Sequence, residues 1–284
     1  MSKVSIPHTE RTAGEPRDDG LHPVKIDKID QVNENIRLIR LAPVEKNSDL
    51  KFLPGQWLDT YTPISPKAGG FTITSAPSSL SQPNPYIELA IQRTSNPPAK
   101  YLHLPQPQLL NTLLQIRVGG SFTYPPTPPR NFKRVVFVAG GVGVNPLMSM
   151  LSHIKTLKES GEGDVEVRFL YSVKEQRRWD EILFFERIKS TMAELGMRGG
   201  FKLFLTPGKV GSDQSSDGSN PDGVDVARRR LTHGDLHEAL GPVAERKEVL
   251  CYVCGVPRMT DEYVKVAKEA EGMMKQNVFC ESWW

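Results

Sequence analysis

Val135-Val136-Phe137-Val138-Ala139-Gly140-Gly141-Val142-Gly143-Val144-Asn145-Pro146 is the stretch on which the fold turns. Its opening run of apolar residues suits a strand buried on both faces of a parallel sheet. The glycines let the backbone turn tightly, and Asn145 and Pro146 have the chemistry of a helix N-cap and a first helical position. Leu147, Met150, Leu151 and Ile154 then recur at helical spacing until Gly161. Strand, glycine loop and helix in that order turn free backbone N–H groups toward an anion such as a dinucleotide pyrophosphate. Gly140, Gly141, Val142, Gly143, Val144, Asn145 and Pro146 are therefore candidate cofactor contacts. The same glycines would also serve a tight strand–helix turn with no ligand.

Toward the C-terminus the rhythm continues. Strands are expected at 165–171, 201–205, 249–254 and 278–280, with helices at 181–195 and 235–240 and a last one from about Arg258. This alternation predicts a doubly wound α/β domain over 134–284. Within it, 208–226 is rich in Ser, Asp and Gly and is expected to be a disordered loop. Cys251-Tyr-Val-Cys254-Gly255-Val256-Pro257-Arg258-Met259 places Cys254 and Gly255 at a strand's carboxyl end, where ligands of open α/β sheets bind. Cys251 and Cys254 should face opposite sides of that strand; two buried thiols with no ligand are the plainer alternative. At the chain end, Trp283 and Trp284 either dock on a flat ring or seal a core or an interface.

Toward the N-terminus the texture differs. Alternation at Ile36 and Leu38, and short apolar segments at 57–61, 71–74 and 86–91, bounded by turn residues, predict an antiparallel β-barrel or sandwich over 24–124. A proline-rich linker spans 125–133, and the first 23 residues, mixed in charge, are expected to be a flexible arm with no secretory signal.

Length agrees, since 284 residues are more than one core usually organises. The composition, 38% hydrophobic and 24% charged, is that of a soluble globular protein, with no apolar run near the roughly 20 residues of a membrane helix. A net charge of +3 gives no reason to expect nucleic acid. Three cysteines cannot build a disulfide framework or the four-thiolate set of an iron–sulfur cluster, and no metal site is expected. The chain reads as intracellular, cytoplasmic or mitochondrial.

The glycine motif, the Cys-Gly-x-Pro-x-Met strand end and the Glu-x-Trp-Trp terminus, in order, resemble the ferredoxin–NADP reductase superfamily, and most closely its oxidoreductase NAD-binding domain-containing subfamily. The resemblance implies a flavin-binding barrel followed by a nicotinamide-dinucleotide domain. Hydride would pass from NAD(P)H to FAD at the domain cleft, and electrons would leave to a separate protein or small-molecule acceptor, with the chain a monomer. It also implies site residues. Phe71 would lie against the isoalloxazine, Thr72 would hydrogen-bond near the flavin N5, and Ile73, Thr74 and Ser75 complete that motif. Ala99 and Lys100, within Asn96-Pro-Pro-Ala-Lys-Tyr-Leu-His103, would meet the flavin pyrophosphate. Cys254 would lie by the nicotinamide, Glu281 would relay a proton or order the site, and Trp283 would cover the flavin.

The chain departs from the family pattern at the flavin phosphates: Gly69 stands where the motif has arginine, and Ala99 replaces the usual Ser/Thr. Each charge-assisted phosphate contact is worth roughly 1.5–3 kcal/mol. Lys100, Arg93 and Arg130 are the cations that could compensate. A nucleotide-binding sensor or scaffold that has lost productive flavin binding is the alternative reading. Preference between NADH and NADPH stays open, with Lys174, Arg177, Arg178 and Lys209 as candidates for a 2′-phosphate.

Overall fold

Ile39 and Leu41 on one strand and Val24 and Ile26 on its neighbour are fully buried, and their side chains, two residues apart, share one face of a pleated sheet. Burying each such side chain stabilises the fold by about 1.5–3 kcal/mol. From this alternation the first half of the chain builds one sheet. The computed structural model describes residues 7–45, 49–197, 199–208 and 220–281. The chain divides into two compact units, Met1–Pro125 and Pro126–Trp284.

The first unit carries α1 (His8–Arg11), β1 (His22–Asn33), β2 (Ile36–Pro43), β3 (Trp57–Thr62), β4 (Ser65–Thr72), β5 (Ile87–Gln92), α2 (Pro97–Tyr101), α3 (Gln106–Leu109) and β6 (Leu113–Gly119). Its strands form an antiparallel sheet in the order β4-β3-β6-β1-β2-β5, curled so that an isolated bridge links Ile73 to Leu89 without a continuous ladder. Inside lie Ile26, Leu58, Leu89, Ile116 and Val118, with Ala99 and Leu102 closing one end.

Two expectations need correction here. Residues 7–21, expected as a free arm, lie against the sheet instead. His8 is buried, with its ring edge-on to Trp57 and its Nε2 3.2 Å from Asp59 Oδ1. Arg17 and Arg117 both reach Asp59 Oδ2, at 2.9 and 2.8 Å, and Arg17 lies over the Trp57 ring. Burial pushes the Asp59 carboxyl up, but hydrogen bonds from His8, Arg117 and Arg17 outweigh it and hold its pKa at about 2. Second, the strand expected at 71–74 is the end of a longer one, β4. Its glycines read as turn residues, yet they are there because rings occupy their side-chain space: Phe71 and Pro98 at Gly69, His8 at Gly70.

The second unit carries β7 (Arg134–Gly140), α4 (Val144–Glu159), β8 (Glu166–Lys174), α5 (Phe185–Glu194), β9 (Phe201–Thr206), β10 (Asp225–Ala227), α6 (His233–Leu240), β11 (Val249–Cys254), α7 (Pro257–Glu269) and β12 (Val278–Glu281). The sheet is parallel, in the order β10-β9-β8-β7-β11-β12. Val136, Val138, Cys251 and Val253 face α6 and α7, while Phe137, Phe169 and Phe201 make a ladder of rings with Phe185 of α5 on the other side. Thr232 caps α6 in a capping box with Asp235.

The helix expected at 181–195 begins only at Phe185, after a separate 3₁₀ turn at Trp179–Glu181. Most of the loop expected to be disordered, 209–219, lies outside the described residues; its end is ordered, with Val224 buried and Asp225–Ala227 pairing with β9. Among the described residues no helix is long and apolar enough to cross a membrane, and no cluster of His, Cys, Asp or Glu could hold a metal.

Candidate functional site

From β7 the sheet grows outward through β8 and β9 to β10, and the chain then returns to the other side of β7 as β11. The reversal falls between β8 and β11 on either side of β7, and the carboxyl ends of strands at such a point are the place where open α/β sheets bind ligands. It brings together the two motifs that the sequence holds more than a hundred residues apart: Ala139 pairs with Cys254, and Cys254 with Glu281 of β12.

Each glycine of the loop has a separate geometric reason. Gly141 has φ +54°, which favours glycine, and nothing within 4 Å of where a Cβ would stand. A Cβ on Gly143 would run into the Cys254 carbonyl, and one on Gly140 would sit 2.5 Å from Met259 Sδ. Gly140 and Gly255 are equally tight, a Cβ on either lying 3.2 Å from the other's Cα. Met259 is thus a wedge between the two motifs, legible beforehand only as part of the Cys-Gly-x-Pro-x-Met run.

Asn145 is not the N-cap. A 3₁₀ turn, Gly141–Gly143, feeds directly into α4, whose cap is Gly143 at φ −62°, and Asn145 is buried in the first turn with Val144 and Pro146. No acidic side chain lies in that turn, which leaves the positive end of the helix dipole unopposed there.

Cys254 is fully buried at the end of β11. Burial, and then the Glu281 carboxylate, pushes its thiol well above the usual range, so it stands as a neutral, compact group. Cys251, on the opposite face, is pushed up to about 12 by burial alone. Phe279 of β12 stacks on Tyr252 at 4.9 Å, with Arg130 over its outer face. Trp283 and Trp284 lie outside the described residues. Of the cations considered for a 2′-phosphate, Arg178 is paired with Asp180, and Lys209 is outside the described residues. Glu175, just past β8, lies 3.4 Å from Arg228.

The residues that the resemblance marks for flavin fare unevenly. Phe71 is half-buried at the end of β4, and Thr72 beside it has no side-chain hydrogen bond among the described residues. The neighbouring side chains face the barrel instead: Ile73 and Ala99 are in its core. The Thr74 hydroxyl donates to the Glu88 carbonyl at 3.0 Å, and Ser75 Oγ accepts from the Glu88 N–H at 3.1 Å. The Ile73 and Ala99 side chains have no polar group to give a ligand, and the Thr74 hydroxyl proton is taken by Glu88. Lys100 is exposed on α2, while Arg130 is engaged within the second unit by Gln276 and Asn277.

The phosphate end is poorer still. Gly69 offers no cation and has no room for one, since a Cβ there would be 2.7 Å from Pro98 and 2.8 Å from Phe71. Pro97 and Pro98 open α2, so the turn that should present N–H groups to a pyrophosphate lacks two of them, and the Lys100 N–H is used by the Asn96 carbonyl. At Gly69 and α2 the first unit does not offer the contacts that the FAD diphosphate would need.

No family model matches the chain. It is 31% identical to oxidoreductase NAD-binding domain-containing protein 1 of Bos taurus over 289 residues, covering 100% of this chain and 87% of that one. Among solved structures it resembles the flavohem-like FAD/NAD binding domain of nitric oxide dioxygenase from Vibrio cholerae O1 biovar El Tor (TM-score 0.64, 17% identity, 92% and 98% coverage). It also resembles a ferredoxin NADP+ reductase from Neisseria gonorrhoeae with bound FAD and NADP (TM-score 0.65, 14% identity, 93% and 99% coverage). At such identities the structures speak for the fold alone.

Proposed function

The chain belongs to the oxidoreductase NAD-binding domain-containing protein 1 family, and from that premise we propose that it is an NAD(P)H-dependent oxidoreductase of the ferredoxin reductase type. The observation that carries this reading is the convergence of residues 140–145 with Cys254 and Gly255 at the strand-order reversal. Gly141 has open space where a side chain would stand, and the helix α4 N-terminus adds its dipole, so the loop holds the dinucleotide pyrophosphate. Cys254 and Gly255, packed against Gly140 and Gly143, then fix where the nicotinamide lies. Bound there, the dinucleotide supplies a hydride. Cys254, held neutral, presents no competing charge to a ring that becomes cationic only on oxidation; Glu281, across the strand pair, favours that charge. The protein's contribution is position, which turns an improbable encounter into a unimolecular step.

A second reading, a nucleotide-binding sensor or scaffold, is favoured by Gly69 and by the prolines of α2. Titration with NADH and NADPH, followed by flavin addition while reduced nicotinamide is monitored, separates the two. Saturable binding with oxidation supports the reductase. Binding without oxidation supports the sensor, and no binding contradicts both.

A further inference from the structure

We infer that the first unit takes flavin by its ring, as a substrate that binds and leaves, rather than holding FAD as a resident group. This rests on the reductase reading and names its acceptor. FAD, FMN and riboflavin share the isoalloxazine and differ only beyond it, in the phosphate and adenylate. A site that prefers FAD to riboflavin must therefore do so through contacts to the phosphates or the adenylate, and the phosphate contacts are the ones this chain's family motif would supply.

Several of the phosphate contacts are missing, each in a different way. At Gly69 the cation is absent, and the space it would need is filled by the Phe71 ring and Pro98, so no single substitution restores it. At α2, Pro97 and Pro98 remove two donors and the Asn96 carbonyl occupies a third. Ala99 carries no hydroxyl and points into the core. What persists is the ring end, with the half-buried Phe71 face and the Thr72 hydroxyl. Lys100 is the remaining cation on α2, exposed and on a flexible stem.

The step balances without a further reactant. A C–H bond of the reduced nicotinamide breaks and its electron pair leaves as hydride to the flavin, where an N–H bond forms. One proton comes from solvent, giving NAD(P)+ and dihydroflavin from NAD(P)H and oxidised flavin. The dihydroflavin then carries the electrons away.

The test uses the full chain. After gel filtration the protein is assayed for retained flavin, and NADH or NADPH oxidation is then measured anaerobically with riboflavin, FMN and FAD in turn. Expected is no stoichiometric flavin and KM values for the three within about threefold, because each charge-assisted phosphate contact would otherwise separate them by about ten- to a hundredfold. Phe71→Ala, which removes a half-buried ring packed on the barrel core and so lowers thermal stability, should raise all three KM values by the same factor while leaving NADH binding unchanged. Co-purification of FAD, or a hundredfold preference for it, overturns the inference and leaves the reductase reading standing. Oxidation with no flavin overturns the inference too; loss of dinucleotide binding in the separate titration is the result that removes the reductase reading itself.

Discussion

The two units open the helices α4 and α2 with opposite residues. Before α4 stand Gly140, Gly141 and Gly143, which add no side chain and keep every N–H; opening α2 stand Pro97 and Pro98, which have none to offer. Glycine at the one place is dictated by contact, because a Cβ on Gly143 meets backbone rather than a movable side-chain tip. Proline at the other is equally compatible with a helix start, since first-turn N–H groups have no partner within the helix. Either turn folds; the second lacks the N–H groups of two successive residues that an anion would use.

The contrast can be broken most severely at Gly143. Gly143→Val forces apart β11 and the loop, and overpacking against backbone costs about 1–3 kcal/mol or more of stability. Calorimetric titration should show NADH affinity down at least about a hundredfold. Retained affinity would mean the loop is a packing device only.

Next in size is Asp59, which serves the first unit's fold. Asp59→Ala leaves Arg17 and Arg117 without their shared carboxylate and should lower stability by about 2–3 kcal/mol, less than a wholly buried pair because both arginines reach solvent. NADH affinity should not move. Its folded pKa, about 2, lies below the ordinary 3.8, so the contribution is complete above about pH 4 and is lost as pH falls through about 2. Denaturant melts of wild type and variant should therefore converge in acid.

Cys254→Ala should lower the hydride-transfer rate by up to about a hundredfold through misplacement of the ring, with the NADH dissociation constant within about threefold. Equal loss of both would remove its positioning role. In the native protein iodoacetamide should label exposed Cys280 and spare Cys251 and Cys254, as peptide mass spectrometry would report. The smallest effect is expected from Pro97→Ala, which returns one donor to α2: FAD affinity should rise by less than about tenfold, with riboflavin unchanged.

The second unit was largely legible because strands buried on both faces read as continuous apolar runs, and because Pro257 and Gly161 mark helix ends locally. The first was less so. Gly69 and Gly70 read as turn residues when their reason lies in Pro98 and His8, distant in sequence. The N-terminal segment looked free because the partners of His8 and Arg17 sit on Asp59. Thr74 and Ser75 match a flavin motif by position; that Thr74 donates to the Glu88 carbonyl and Ser75 Oγ accepts from the Glu88 N–H is a pairing no local pattern announces. The Asn145 cap failed for a simpler reason: a 3₁₀ turn already supplies a helical Gly143, and the helix needs no side-chain cap.

Hydrogen–deuterium exchange of the full chain, alone and then with saturating NADH and with FAD, tests the contrast between the two helix starts most directly. Expected is slowed exchange at residues 140–145 and 254–256 with NADH, and none at 96–102 with FAD. Protection of 96–102 by FAD, or none at the glycine loop with NADH, would contradict it.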